Sequence, residues 1–303
     1  MLHLPLAAVL LLSAAPAPQV ELVERPGQRH LAIDGKPTLI KGMNWGWMPI
    51  GQNYTFQFWD QPEDVIIEAL ERDMGLLKAM GVNALRQFDG VPPRWVEYIY
   101  DRWGIMTSVN NFLGRYGMTV DGRWESPINY ENPRTREVIL ESVRTMAEKY
   151  KDTRGMVFFM LGNENNYGLH WSSYEIEALP QGERDQARAL HLYTLLGEAA
   201  TILKEVVPHR LIVWANGDLQ YMDLFTEHAK DVDIFGTNVY RGESARDLFE
   251  RVENESGRAV VFTEFGSDAF NAREHREDGA SQAYYLHKQW SEIYQQSRPP
   301  GVG

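Results

Sequence analysis

The sequence predicts an α/β fold, a (β/α)8 TIM-type barrel preceded by a β-hairpin, and three observations carry that reading. Seven strand signals alternate with helix signals from residue 38 onward, the pattern of parallel strands joined by helical crossovers. One of the strands, Met156–Leu161, is apolar at every position, as a strand covered on both faces must be. No glycine-rich phosphate loop follows the first strand, so a nucleotide-binding open sheet is unsupported. The length suits a barrel of about 250 residues.

The elements follow in order. His30–Ile33, the Asp34-Gly35 pair and the arm from Pro37 read as a hairpin with a tight turn. The second arm runs into Thr38–Asn44, the first barrel strand. Residues 63–80 have helical spacing through Val65, Ile66, Ala69, Leu70, Leu76, Leu77 and Met80, and Gly81 ends that helix. Val82–Phe88 is the second strand. Pro92-Pro93 opens a helix that runs through Trp103 and closes at Gly104. Ile105–Val109 is the third strand, and residues 134–151 form an amphipathic helix on Val138, Ile139, Val143, Met146 and Ala147. Met156–Leu161 is the fourth strand, followed by a helix over about 183–206. Leu211–Ala215 is the fifth and Asp233–Tyr240 the sixth, with a helix over 244–255. Ala259–Thr263 is the seventh, with a helix over 280–296. Without internal repeats or a low-complexity linker, residues 19–303 read as one domain.

No eighth strand appears before Gly303. A closed barrel does not leave its first and seventh strands unpaired without cost. The expected explanations are a chain that continues past Gly303, closure by the N-terminal hairpin, or a strand from a partner, the first being preferred.

Bulk properties narrow the function. The 303 residues are 44% hydrophobic and carry a formal net charge of -12, which argues against nucleic acid or an anionic membrane as partner. The absence of cysteine excludes disulfides and thiolate–metal sites. The eight histidines form no metal-ligand pattern, and no Gly-x-Ser-x-Gly elbow occurs, so neither a metal or other cofactor nor a serine nucleophile is expected. Residues 1–18 join a short apolar run, Leu4–Leu12, to a small-residue segment. They read as an export signal, which predicts a secreted or periplasmic protein.

Glu164 and Glu264 carry the chemistry. Each follows a dry strand, the fourth and the seventh, at the C-terminal end where barrels build their active sites. Two carboxyl groups flanking one bond are what glycoside cleavage needs. One serves as acid and then base, and the other as nucleophile when configuration is retained, with about 5–5.5 Å between them. Strands four and seven face each other across such a barrel.

The motifs Gly162-Asn163-Glu164 and Thr263-Glu264-Phe265-Gly266 resemble the signature of clan A glycoside hydrolases. Val260–Asp268 is similar to the nucleophile region of the family 2 barrel domain, and Ile40–Asn44 and Leu76–Arg86 fit as well. Similar phrases occur in the family 72 β-1,3-glucanosyltransferases. The resemblance covers residues 30–296 and implies a retaining β-glycosidase acting on a carbohydrate. It makes Glu164 the acid/base, Asn163 the ligand of the sugar 2-hydroxyl and Glu264 the nucleophile. Tyr240 would hydrogen-bond that nucleophile, and Arg86 would pair with it. Two departures stand out. Asn165-Asn166-Tyr167 follows the acid/base where family 2 commonly has proline, and the aromatic residue usual at the end of strand eight has no counterpart.

Among the aromatic residues, Trp45 and Trp47 after the first strand and Trp171 after the acid/base loop are candidates for stacking on sugar. Asn44, Asn110 and Asn238, at the ends of strands one, three and six, are candidates for sugar hydroxyls or for turn caps. A transglycosylase using the same glutamates, and a non-catalytic sugar-binding barrel, are the alternatives.

Overall fold

The computed structural model describes residues 17–297 apart from Pro26, Gly27, Tyr54 and Asp89. The expected export signal lies almost wholly outside the described residues. Seven parallel strands make one sheet: β1 (Gly42–Asn44), β2 (Ala84–Gln87), β3 (Met106–Asn111), β4 (Met156–Leu161), β5 (Leu211–Gly217), β6 (Ile234–Val239) and β7 (Ala259–Phe265). They pair strictly in chain order. Helices α1 (Glu63–Ala79), α2 (Pro93–Trp103), α3 (Pro133–Tyr150), α4 (Arg184–Val206), α5 (Met222–His228), α6 (Leu248–Ser256) and α7 (Gly279–Ser297) follow the strands in turn. The predicted strands and helices appear within a few residues of their expected bounds. Unforeseen are α5 and the short ribbon Met118–Val120/Arg123–Glu125.

The sheet curls until β2 reaches β7. Arg86 on β2 donates to Glu264 on β7, and Asn44 on β1 donates to the Thr263 carbonyl at 3.2 Å. Yet β1 and β7 share no strand pairing, so the barrel nearly closes around an unsealed seam. The N-terminal segment does not fill it. Val20–Arg25, Gln28–Ile33 and Lys36–Pro37 form a separate antiparallel sheet. Its tight turn is the expected one, with Asp34 at φ 51° and Gly35 at φ 72°.

That small sheet covers the bottom of the barrel. Val20, Leu22, Leu31 and Ile33 pack with Ala84, Met106, Phe158, Leu211, Val213 and Ile234, the inward residues at the lower ends of the strands. The opposite faces of the strands meet the helices. Leu85, Phe159, Ile212, Trp214 and Phe235 pack with Leu70, Ile99, Val143, Leu196 and Phe225 in a second, larger core. The interior is therefore apolar below, and its upper layer carries Arg86, Asn163, Asn238 and Thr263, all buried.

Helix ends follow local chemistry. The Asn132 side chain accepts from the amides of Arg134 and Thr135, ahead of Pro133 at the first helical position of α3. Gly104 at φ 66° ends α2 in the left-handed conformation. Asn132→Ala is expected to cost about 1 kcal/mol in urea unfolding; an unchanged midpoint would show that the cap contributes nothing.

Candidate active site

The upper layer departs from strand alternation at β7. Phe262 pairs with Thr237, but the next partner of Asn238 is Glu264, so Thr263 is an extra residue on β7. Such a bulge re-aims side chains and frees backbone groups. Here both Thr263 and Glu264 face inward. The Thr263 hydroxyl donates to Asn238 Oδ1 at 2.6 Å, and its carbonyl accepts from Asn44 and from Arg86. Glu264 receives Arg86 Nη1 on one oxygen and the Tyr240 hydroxyl on the other, each at 2.9 Å.

Glu164 is held by backbone contortion. Gly162 has φ +69°, and a Cβ there would lie 2.1 Å from the Trp214 ring, so glycine is required. Two residues on, Glu164 itself has φ 55° and ψ 34°. A non-glycine residue in this region costs on the order of 1–3 kcal/mol and persists only where its surroundings fix it. The Glu164 amide donates to Ala215 at 2.9 Å, and its carbonyl accepts from Tyr167 at 3.0 Å and from Arg115 Nε at 2.9 Å. One carboxylate oxygen accepts from Asn238 Nδ2 at 3.1 Å. The other has no hydrogen bond among the described residues.

A single network joins the two glutamates. Asn238 donates to Glu164 and also to Asn163 Oδ1 at 3.3 Å. Asn163 Oδ1 accepts from Arg86 Nη2 at 2.8 Å, and Arg86 Nη1 reaches Glu264. Burial lowers the Arg86 pKa from its ordinary value, while Glu264 and, more weakly, Glu164 raise it back. Burial likewise raises the Tyr240 hydroxyl well above the ordinary phenol value, with Glu264 and Glu164 pushing the same way. The ring of Tyr240 is largely exposed, but its hydroxyl end is turned toward the carboxylates.

The sequence-derived candidates separate into groups. Glu164, Glu264, Asn163, Arg86 and Tyr240 meet in the network. Asn44 gives its amide to the seam. Trp47 is half-buried against Phe56 and Phe58. Trp45 is buried and donates to Asp73, and Trp171 is buried edge-on against Tyr130, so neither indole offers a face to solvent. Asn110 accepts from two nitrogens of Arg86, at 3.2 and 3.1 Å, and Asn238 joins Glu164 to Asn163 and Thr263. Tyr116 and Arg115 were not singled out by sequence, and Thr263 entered only as the first residue of a motif, without a role of its own. Tyr116 accepts from Asn163 Nδ2 at 2.6 Å.

The family described as "Glycosyl hydrolases family 2, TIM barrel domain" matches residues 28–297. No curated protein matches the sequence. Among solved structures, a family 2 β-galacturonidase of Eisenbergiella tayi bound to galacturonate superposes with TM-score 0.60 at 16% identity, over 91% of this chain and 44% of that one. β-Glucuronidase 2 of Bacteroides uniformis, covalently bound to cyclophellitol-6-carboxylate aziridine, gives 0.65 at 15%, over 92% and 31%. A β-D-glucuronidase of Dictyoglomus thermophilum gives 0.59 at 17%, over 92% and 45%. At these identities the likeness establishes the fold. The chain spans less than half the length of each of these three.

Arg86→Met removes a buried cation from four acceptors. The expected loss is on the order of 3 kcal/mol in denaturant unfolding, because Glu264, Asn110 and Asn163 lose their shared donor. A variant as stable as the parent would mean that the network does not hold the strand ends.

Proposed function

The chain belongs to glycosyl hydrolase family 2 through the TIM barrel domain, and from that premise we propose that it is a retaining β-glycosidase with Glu264 as nucleophile and Glu164 as acid/base. The observation that carries the reading is the unequal treatment of two carboxylates in one network. Glu264 has a cation on one oxygen and a phenol on the other. Glu164 has one oxygen on Asn238, and the second has no hydrogen bond among the described residues.

The steps follow from that asymmetry. A Glu264 oxygen attacks the anomeric carbon as the glycosidic C–O bond breaks, and Glu164 gives its proton to the departing oxygen. Glu164, now a carboxylate, takes a proton from water. That water attacks the anomeric carbon and releases Glu264. As charge leaves Glu264 on forming the ester and returns on hydrolysis, Arg86 and Tyr240 stay in reach without moving, which is electrostatic preorganisation. Asn163 sits between the glutamates. One of its amide hydrogens goes to Tyr116, and the other would serve the sugar 2-hydroxyl.

Glu264→Gln is expected to abolish turnover of 4-nitrophenyl β-glycosides; substantial residual activity would sink the assignment. The first-formed product, followed by NMR, should be the β-anomer, and an α-anomer would overturn retention. Glu164→Ala is expected to lose about 10²–10⁴-fold on an alkyl glycoside, which needs a proton on its leaving oxygen. It should lose far less in the first step with a dinitrophenyl glycoside, which does not. Equal losses would remove the acid role.

A further inference from the structure

The loop after β3 carries features that the catalytic proposal leaves unused. Tyr116 is 57% exposed, yet its hydroxyl touches Asn163, so its ring stands at the mouth of the site. The next residue, Gly117, has φ +102° and lies against the Trp124 indole. A Cβ there would fall 2.5 Å from that ring. Trp124 is 67% exposed, in the ribbon of Met118–Val120 and Arg123–Glu125.

The ribbon is anchored. At its tip Asp121 accepts from Arg134 Nη2 at 2.7 Å and from Nε at 3.1 Å, and Glu125 accepts from the Thr135 hydroxyl at 3.0 Å. Both donors lie in the first turn of α3. A large apolar ring on a rigid support, backed by glycine and open to water, is a preorganised surface whose burial awaits a ligand. The only backbone step between Trp124's glycine seat and the ring that touches Asn163 is the Tyr116–Gly117 bond.

We infer that Tyr116 and Trp124 form a subsite for a further sugar of a β-linked oligosaccharide, adjoining the sugar held at Asn163. A pyranose in an all-equatorial or nearly equatorial chair offers a flat C–H face that suits an indole, while its hydroxyls remain in water. Tyr116 is the step between the two: its hydroxyl accepts from Asn163, and its chain neighbour Gly117 lies against the Trp124 indole. The occupant is carbohydrate because Tyr116 touches Asn163, the proposed sugar ligand, and the residue after it, Gly117, lies against Trp124. The inference rests on the glycosidase reading.

The test is isothermal titration of the Glu264→Gln protein with cellopentaose, laminaripentaose and mannopentaose, each against its methyl β-monoglycoside. One pentaose should bind at least about tenfold tighter than its monoglycoside, and adding Trp124→Ala should erase most of that advantage, while Trp124→Phe should retain most of it. Equal binding of pentaose and monoglycoside, no pentaose binding, or an equal loss on both ligands in Trp124→Ala would overturn the subsite. Parallel turnover assays of the wild type separate the two readings. Aryl glycoside hydrolysis without a pentaose advantage sinks the subsite alone. A Trp124-dependent pentaose advantage without hydrolysis sinks the catalytic reading alone.

Discussion

The guanidinium of an arginine that is only 5% exposed inside a barrel has to be met by acceptors on nearly every side, because its desolvation costs several kcal/mol. Arg86 meets that demand with groups from three other strand ends: Asn110 on β3, Asn163 after β4, and both Thr263 and Glu264 on β7. The ring of Phe88 lies 4.5 Å from the guanidinium carbon. Satisfying this one cation fixes where four parts of the upper rim stand relative to one another. Glu264 is among those parts directly, and Glu164 is tied in through Asn163 and Asn238. An arginine suits the task because its planar fork reaches several acceptors at once and holds its charge even where burial lowers its pKa.

Such a polar layer weakens a core, and the lower half of the molecule offsets it. Below Arg86 the interior is closed by Ala84, Met106, Phe158, Val213 and the N-terminal sheet, without a buried charge among the described residues. The division lets the strained residue exist. The left-handed backbone of Glu164 is held by bonds to Ala215 on β5, to Tyr167 in the following turn of helix and to Arg115 in the turn after β3. Strain at Glu164 is thus carried by the scaffold and keeps the side chain on Asn238.

Sequence made much of this legible, and the reason is local. Glu164 and Glu264 each follow a strand recognisable from its own composition, and the barrel rule then puts both at one rim. Gly81 and Gly104 announced their helix ends because only their own backbone angles were at stake. Partnerships across the barrel were harder. Asn110 and Asn238 read equally well as turn caps or sugar ligands, since an amide's partner is chosen by tertiary position. Trp45 and Trp171 read as possible platforms because burial of an indole depends on what packs over it. The bulge at Thr263 was hidden for a further reason: strict alternation puts Thr263 and Glu264 on opposite faces, and only the paired strand reveals the extra residue.

The nucleophile candidate stands on an edge strand, which poses the sharpest mechanical question in the fold. An edge strand has one ladder neighbour and is ordinarily the least constrained part of a sheet. Here β7 is braced from both sides. Inside, the freed Thr263 carbonyl accepts from Asn44 across the seam and from Arg86, and the Thr263 hydroxyl binds Asn238. Outside, Phe265 stacks on Trp290 of α7 at 6.3 Å with an interplanar angle of 14°. Gln289 of the same helix donates to Gly242 at 2.6 Å and to Gly266 at 3.2 Å, clamping the turns after β6 and β7 together. These contacts flank Glu264 on either side in sequence. The bulge therefore does two jobs with one extra residue: it turns the carboxylate inward and releases the carbonyl that ties the open seam. That is how an unsealed barrel can still hold a carboxylate in a fixed orientation.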